Sequence, residues 1–330
     1  AFCILTALLY YLIHSFEIAI DKKIDANLND KAKAASSGFE SVMNTVEGIS
    51  DNLLHGIELS MNSPSESVGA SPVNPWKIAT GDGIEPSATE KMDPVTLKSQ
   101  IVNREIPYNK HVGEVFMLSS LYSILEGNPE VIGAGVLFEP NAFQSDVPEY
   151  AMYLGRDNGD ENKRFFKFLD YKFYGDGAEE YYTKVSKEKK SHVVDPFVSS
   201  ITGETIFVLV VPILHQDEFK GAVVVDLNIT MFNSLGKDDS GENAKTFFDV
   251  INHDGKFVYS SNPEAVGKNI AEYVGEDVFK NTIQSEFDKR EVFHVKDKFR
   301  VRYFSPLSIA GTDWYVQSAM QIKTYNAAKI

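Results

Sequence analysis

Histidine and cysteine can bind metals and take part in catalysis, but the seven histidines and one cysteine of this chain are too scattered to form a reactive site. No two histidines have the spacing of a helical metal pair, and none belongs to a metalloprotease motif. Cys3 lies in an apolar N-terminal run, so the rest of the chain can form neither an internal disulfide nor a thiolate metal site. We therefore expect no bound metal. The histidines are His14, His55, His111, His192, His215, His253 and His294.

Sequence motifs of the common enzyme classes are also absent. The chain has no glycine loop followed by Lys-Ser or Lys-Thr that would hold a phosphate, and it has no nucleophile elbow. The run His253-Asp254-Gly255 is a turn signal without the alternating acids of a calcium loop. We expect neither catalytic residues nor a cofactor, and we do not expect an enzyme.

The charge balance limits the partners. The chain has 47 acidic and 32 basic side chains, a net charge of −15. A surface this acidic repels phosphate backbones, so nucleic acid is not expected as a partner. The same charge also serves simply to keep a protein soluble. A length of 330 residues allows two globular units.

The N-terminus begins with thirteen uncharged residues, AFCILTALLYYLI. A membrane-spanning helix needs about 20 apolar residues, so this run is too short to cross a bilayer alone. We interpret residues 1–14 as the end of a truncated transmembrane helix, with Tyr10, Tyr11 and His14 at the membrane interface. A signal peptide and a buried core helix are the alternatives.

A long helix is expected next, from Ser15 to about Met61, where proline is absent. Its apolar residues recur at alternating three- and four-residue spacing, as in a coiled-coil seam. This indicates a stalk helix that pairs in a homodimer, or one that packs along the chain's own globular domains. The stripe consists of Phe39, Val42, Val46, Ile49, Leu53 and Ile57.

Two further segments complete the region 15–130. Residues 62–93 combine prolines with many Ser and Gly residues, which predicts an irregular surface segment. Helical patterning resumes at Pro94 and continues to Gly127, where Gly127 and Pro129 are stop signals.

From residue 131 the chain is rich in short strands, and their order occurs twice. Thr202-Gly203 and Gln216-Asp217 predict hairpin turns, hence antiparallel sheets. Each copy reads strand, strand, helix and three strands, which is not the βαβ alternation of a nucleotide-binding fold. The first copy has strands at 131–139, 149–157, 192–200, 204–214 and 219–229, with a helix at 178–190. The second has strands at 246–251, 256–261, 291–297, 300–307 and 313–320, with a helix at 271–289.

Several segments resemble one known family. NPEVIGAGVLFEPNAF (128–143), VVDPFVSSITGE (193–204) and GAVVVDLNI (221–229) are similar to the membrane-distal module of double Cache sensors. FFDVINHDGKFVYSSNPEAVGKNI (247–270) and TDWYVQSAM (312–320) are similar to the membrane-proximal module. The resemblance covers about residues 15–325. It implies an α+β fold: a long N-terminal stalk helix followed by two PAS-like antiparallel-sheet Cache modules, at 131–235 and 236–330.

The resemblance also implies a function and a location. Such sensors lie outside the cytoplasm, flanked by two helices in the cell membrane, and are usually dimeric. They bind small molecules and control a cytoplasmic output domain. We expect the whole receptor to be a chemoreceptor rather than a histidine kinase. An ectodomain that binds protein and no small ligand is the alternative from another functional class.

By the resemblance, the ligand pocket lies in the first module. Amino-acid-binding members carry an Arg two residues before a Trp-Tyr pair, and that Arg holds the ligand carboxylate. This chain has Glu179 and the pair Tyr181-Tyr182 at these places, whereas Asp226 matches the aspartate that takes the ligand ammonium. The expected ligand-binding residues are Tyr153, Arg156, Tyr171, Glu179, Tyr181, Tyr182, Asp195, Phe197 and Asp226.

The side-chain chemistry favours a cationic ligand. Tyr rings attract ammonium groups by roughly 0.5–2 kcal/mol per contact, and a buried Asp226 needs a positive partner. We therefore hypothesise an amine or quaternary ammonium ligand. Three alternatives stay open: Arg156 or Arg164 restores carboxylate binding, the tyrosines are plain core residues, or Asp226 is a structural cap. In the second module we interpret Tyr259, Tyr273, His294, Arg300, Arg302 and Tyr303 as mainly structural.

Overall fold

The chain forms two compact units in a computed structural model that describes residues 2–62, 96–157, 160–175, 177–230, 232, 246–307 and 312–327. One unit is Thr45–Asn228, called here the six-stranded module. The other combines Ala1–Asn44 with Ile229–Ile330 and is called the five-stranded module. The module boundary expected between residues 235 and 236 lies outside the described residues, as does the irregular segment after residue 62.

Helix α1 (Phe2–Asn62) includes the predicted stalk helix and extends it to the N-terminus. Two positions of its apolar stripe, Leu53 and Ile57, are buried in the six-stranded module. The side chains of the other four stripe residues lie outside the described ones. Within the same module, Gly56 lies against the ring of Phe116, because a glycine leaves room for an aromatic side chain. Among the described residues, no helix has an apolar stretch of the length needed to cross a membrane.

Helix α2 (Tyr108–Gly127) begins later than predicted. Instead of a helix from Pro94, the described residues contain a small antiparallel pair, β1 (Thr96–Lys98) and β2 (Glu105–Pro107). Pro107 explains the difference, because a proline lacks an N–H and keeps the residue before it out of the helical region. The buried Glu114 of α2 then holds the β1–β2 turn by accepting hydrogen bonds from Ser99 and from the backbone of Gln100.

The sheet of the six-stranded module is antiparallel throughout, in the order β5-β4-β3-β8-β7-β6. All eight residues of its central strand β3 are buried. Helices α3 (Tyr171–Tyr174) and α4 (Glu180–Glu188) lie between β5 and β6 in sequence. The strands are β3 (Val131–Phe138), β4 (Ala151–Asp157), β5 (Asp160–Phe168), β6 (His192–Val198), β7 (Thr205–His215) and β8 (Glu218–Asn228).

The five-stranded module has the antiparallel order β10-β9-β13-β12-β11. Its predicted helix at 271–289 is broken into short pieces, partly because Gly275 adopts a φ of +94°. The strands are β9 (Thr246–Ile251), β10 (Phe257–Ser260), β11 (Phe293–Lys296), β12 (Arg300–Pro306) and β13 (Tyr315–Gln321). The helices are α5 (Ala271–Val274), α6 (Glu276–Val278), a π-helical turn (Phe279–Ile283), α7 (Gln284–Phe287) and, after β13, α8 (Ile322–Ala327).

The two sheets confirm the repeated strand order. With β5 set aside and the strands of each module numbered from one, both sheets read 2-1-5-4-3. Strand β5 is an addition at the sheet edge that the sequence pattern did not predict. Its sequence DENKRFFKF begins with charged and polar residues, as is common in edge strands that must not pair with another chain. The predicted α+β architecture with two antiparallel modules is therefore correct.

A row of buried polar groups crosses the sheet of the five-stranded module. The Asp249 carboxylate accepts hydrogen bonds from Ser260 and from the Gln317 amide. Arg302 donates to Asp297 at 3.1 Å and to the Gln317 carbonyl at 3.4 Å. Burial raises the pKa of Asp249, while the nearby arginines act in the opposite direction. These contacts join Arg302 to the module's own side chains, as buried polar groups require.

Gly221 is the position where the six-stranded sheet most clearly requires glycine. Its φ is +152°, and a Cβ there would overlap the Leu137 carbonyl of the neighbouring strand. Gly203, in the β6–β7 turn, has a φ of +75° but open space around it. Comparing these two glycines separates backbone strain from steric overlap.

We expect Gly203→Ala to lower the free energy of unfolding by about 1 kcal/mol, the cost of a left-handed backbone for alanine. Gly221→Ala adds the displacement of a backbone strand and should cost about 1–3 kcal/mol more. Urea unfolding of both variants measures the difference. Equal losses would mean that β3 moves away from the new Cβ without cost.

Candidate ligand-binding site

A hydrogen bond across the central strand of the six-stranded module organises the candidate site. Tyr153 of β4 donates from its hydroxyl to Oδ2 of Asp226 on β8, at 2.7 Å. Both side chains are buried, with 1% and 5% of their surface exposed. Between them lies Gly133 of β3, where a Cβ would overlap the Tyr153 hydroxyl. The glycine therefore lets the tyrosine ring lie across β3 and reach the aspartate.

Burial controls the ionisation of Asp226. It raises the pKa of the carboxyl to about 7, and the hydrogen bond from Tyr153 opposes this only in part. Burial also raises the pKa of Tyr153 well above its ordinary value, and the nearby Asp226 charge adds to that effect. Near neutral pH, Asp226 is thus divided between a protonated form and an ion that has no cationic partner among the described residues.

A cavity of about 30 Å³ lies beside Asp226. This is room for about two water molecules. Five of the predicted residues line it: Tyr153, Glu179, Tyr181, Phe197 and Asp226. The structure therefore brings together the core of the predicted set, from strands β4, β6 and β8 and from the start of α4.

The charge of this cavity is negative. Glu179, the residue before α4, has a pKa raised by partial burial. Burial, followed by the charges of Glu179 and Asp226, raises the pKa of Tyr181. Among the described lining residues there is no Lys, Arg or His. Two carboxyls and two phenols suit a ligand that brings a positive charge and hydrogen-bond donors.

Arg156 does not reach this cavity, contrary to the prediction. It follows Tyr153 by three positions on β4, and alternation along a strand places the two side chains on opposite faces. Its guanidinium donates to the carbonyls of Val131, at 2.8 Å, and of Leu125 near the end of α2. A cation suits such a helix C-terminus, where carbonyls lack partners within the helix.

Arg164 is also engaged elsewhere. Its guanidinium lies 2.7 Å from the carboxylate of Glu126. Neither arginine considered for carboxylate binding therefore lines the cavity beside Asp226.

Three other predicted residues lie elsewhere. Tyr171 and Tyr182 line a separate cavity of about 310 Å³. Asp195 lines neither cavity, although it precedes the lining residue Phe197 by two positions. Residues two apart normally share a strand face, but the pairing of β6 shifts register between Val194 and Phe197. This irregularity removes the expected equivalence of the two side chains.

The sequence prediction missed the turn that encloses the cavity. Ser199, Ser200 and Ile201, between β6 and β7, line it together with Leu169 and Phe173. The Ser199 hydroxyl accepts hydrogen bonds from the backbone N–H groups of Ile201 and Thr202, which stabilises the turn. The run SSITGE signalled a hairpin, but nothing in it indicated that the hairpin covers a pocket. Within the described residues, no three His, Cys, Asp or Glu side chains converge as a metal site.

Comparison with known families matches residues 16–328 to the Cache domain. Comparison with curated proteins gives no significant match. Solved structures with the same fold include the periplasmic sensory domain of the Campylobacter jejuni chemoreceptor Tlp1. That pair has 9% identity and a TM-score of 0.64, and the alignment covers 93% of this chain and 98% of Tlp1's domain.

Two further structures share the fold. The extracellular domain of the putative histidine kinase soHK1S-Z6 is 15% identical, with a TM-score of 0.59 and coverage of 94% of this chain and 98% of that one. The ligand-binding domain of the Pseudomonas aeruginosa PAO1 amino acid chemoreceptor PctC, in complex with GABA, is 12% identical. Its TM-score is 0.51, with coverage of 89% and 98%. At these identities the likeness concerns the fold alone.

The raised pKa of Asp226 predicts a stability that depends on pH. A carboxyl with a higher pKa in the folded state favours folding below its unfolded pKa, and this contribution is lost as pH rises to about 7. Asp226→Asn should therefore be more stable than the wild type near pH 8, by at most about 4 kcal/mol. The difference should nearly vanish near pH 4.

Chemical denaturation at both pH values measures this effect. Glu179→Gln is the matched control, because that carboxyl is only half-buried and should change the pH dependence less. A constant difference between Asp226→Asn and the wild type across this range would show that Asp226 is not held in the environment described.

Proposed function

Because this chain belongs to the double Cache domain family, we propose that it is the extracytoplasmic ligand-binding sensor region of a transmembrane bacterial signalling receptor. We propose further that the cavity beside Asp226 takes an organic ammonium ion. The observation that carries the ligand class is the buried Asp226 carboxyl, which shares with Glu179 a cavity without basic lining residues among those described.

The donors of a primary ammonium group match the acceptors of this cavity. Such a group has three N–H donors, and the carboxylates of Asp226 and Glu179 and the hydroxyl of Tyr181 can accept them. A ligand carboxylate would meet two acids and no base. PctC was solved with GABA, which carries both an amine and a carboxylate. In this chain the amine end of such a molecule has partners and the acid end has none, which favours amines without a carboxylate.

The small volume of the cavity suggests how binding is converted into a signal. A ligand larger than about two waters requires the enclosing parts to move outward. These parts are the Ser199–Ile201 turn and the Glu179–Tyr181 segment at the start of α4. A ligand alters an equilibrium only if it binds two arrangements with different affinity. Opening and reclosing around an amine supplies such a difference.

The receptor class follows by analogy. Tlp1 and PctC are chemoreceptors, whereas soHK1S-Z6 is a putative histidine kinase, and all three share this fold. We favour a chemoreceptor at the cell membrane, with residues 1–14 as part of an anchor. A histidine kinase sensor is the second candidate. A signalling coiled coil or a kinase core in the full-length protein distinguishes the two.

The exposed face of α2 supports a homodimer. Four large apolar side chains of α2, Tyr108, Val112, Val115 and Tyr122, are between 37% and 54% exposed and follow helical spacing along one face. The other exposed positions of α2 as far as Ser123 are uncharged. In a chain of net charge −15, an uncharged apolar face is where a second copy can approach without repulsion. We therefore place the dimer contact on α2 rather than on the buried positions of the α1 stripe.

Amine binding should be stronger at higher pH. Asp226 with a pKa of about 7 is mostly protonated near pH 6 and mostly ionised near pH 8. An alkylammonium ion stays protonated at both values. Its affinity should therefore be about tenfold higher near pH 8 than near pH 6.

Calorimetry with a series of primary alkylamines and the matching alcohols measures this. Asp226→Asn should abolish saturable binding, whereas Asp195→Asn, outside the cavity, should retain it. Saturable binding of ordinary amino acids without any binding of amines would reject the proposed ligand class.

Val115→Glu should convert the dimer to a monomer, because it places an acid in the centre of the apolar face of α2. Sedimentation equilibrium measures the change in mass. Val198→Glu is the matched control, since Val198 is 67% exposed on β6 and lies outside this face. A wild type that is monomeric at high concentration, or a Val115→Glu variant that stays dimeric, would contradict a contact through α2.

A further inference from the structure

The six-stranded module contains a second cavity that shares no lining residue with the one beside Asp226. Its volume is about 310 Å³. Glu139, Tyr171, Tyr182 and Phe219 line it, together with small and polar residues of α4. Tyr182 belongs to this cavity and its neighbour Tyr181 to the other, so helix α4 contributes to both.

The aromatic residues of the second cavity form a connected chain of rings. Tyr171 meets Tyr174 edge-on, with 5.3 Å between ring centroids. Tyr174 meets Tyr182 at 5.0 Å, and Tyr182 meets Phe219 at 5.5 Å. The fully buried Tyr174 also donates a hydrogen bond to the Phe138 carbonyl at 2.7 Å. The rings are therefore fixed in place before any ligand arrives.

A carboxylate accompanies these rings. The Tyr171 hydroxyl donates to Oε2 of Glu139 at 3.0 Å. The Tyr182 hydroxyl is buried and lacks a hydrogen bond of good geometry. Burial and then the Glu139 charge raise the pKa of Tyr182. Among the described lining residues there is no basic side chain. The ammonium of Lys220, which follows Phe219, is paired with Glu218 at 2.7 Å.

We propose that this second cavity binds an organic ammonium ion with a methylated nitrogen, such as a quaternary ammonium. A quaternary nitrogen has no N–H to donate, so it gains from aromatic rings and a nearby negative charge rather than from lone pairs. Tyr171, Tyr182, Phe219 and Glu139 supply both. The volume also suits the bulk of a methylated nitrogen, whereas the small cavity beside Asp226 suits a primary ammonium. The two cavities therefore differ in ligand class.

The test uses tetramethylammonium chloride as the probe and neopentyl alcohol as a neutral compound of similar bulk. Calorimetry should show saturable binding of the cation to the wild type and at least about tenfold weaker binding of the alcohol. Asp226→Asn should bind tetramethylammonium as the wild type does, because it alters only the other cavity. This variant makes the present proposal independent of the proposed primary-amine site.

Two changes in the second cavity should weaken binding. Glu139→Gln removes the charge at constant size, and Phe219→Leu removes one ring. Each should weaken tetramethylammonium binding about tenfold or more, whereas Tyr171→Phe, which keeps its ring, should change it less than about threefold. Circular dichroism checks that each variant is folded. If Glu139→Gln does not fold, Phe219→Leu still tests the second cavity.

Three results would overturn the proposal. The wild type fails to bind tetramethylammonium, or the neutral alcohol binds equally well. Alternatively, binding survives both Glu139→Gln and Phe219→Leu but is lost in Asp226→Asn, which would place the cation in the first cavity.

Discussion

The interior of the six-stranded module depends on one buried carboxyl. Asp226 lies in the middle of a sheet, away from bulk water, and the hydrogen bond from Tyr153 offsets only part of the lost solvation. The strand order makes this bond possible, since β4 and β8 both flank β3. Gly133 makes it short enough, because no side chain of β3 stands between the two groups. The sheet geometry and the electrostatics of Asp226 thus meet in the same three residues.

Two arginines of the module lie away from this arrangement. Arg156 caps the end of α2, and Arg164 pairs with Glu126, so neither arginine offsets the acids that line the cavity beside Asp226. Helix α4 contributes to both cavities, with Tyr181 at one and Tyr182 at the other. Because the two tyrosines are adjacent on one short helix, a ligand that fixes either ring also restricts the helix that encloses the other cavity. Two pockets of the same charge sign are therefore mechanically connected.

The sequence predicted the parts of this structure that rest on local patterns. Buried strands such as 131–139 alternate with clear turn signals, and two copies of one strand order were readable from them. Strand β5 was missed, since a charged edge strand lacks that pattern. The misplaced start of α2 was avoidable, because Pro107 marks it. The assignment of Arg156 to the site was avoidable too, because its spacing from Tyr153 places it on the opposite face of β4. The position of Asp195 was not readable, because it depends on an irregularity in β6.

The buried Asp226 carboxyl also gives a physical reason for regarding the module as a sensor rather than a rigid support. A purely structural carboxyl would be expected to have a cation or several donors, as Asp249 has in the five-stranded module. Among the described residues, Asp226 has one donor, Tyr153, and a cavity beside it. The ionised form of Asp226 is therefore unfavourable alone and favourable with a bound cation. Binding of a cation in the cavity thus changes the free energy of the folded module directly. A ligand that relieves this cost stabilises the arrangement that encloses it, and this differential stabilisation is what a receptor needs to convert binding into movement.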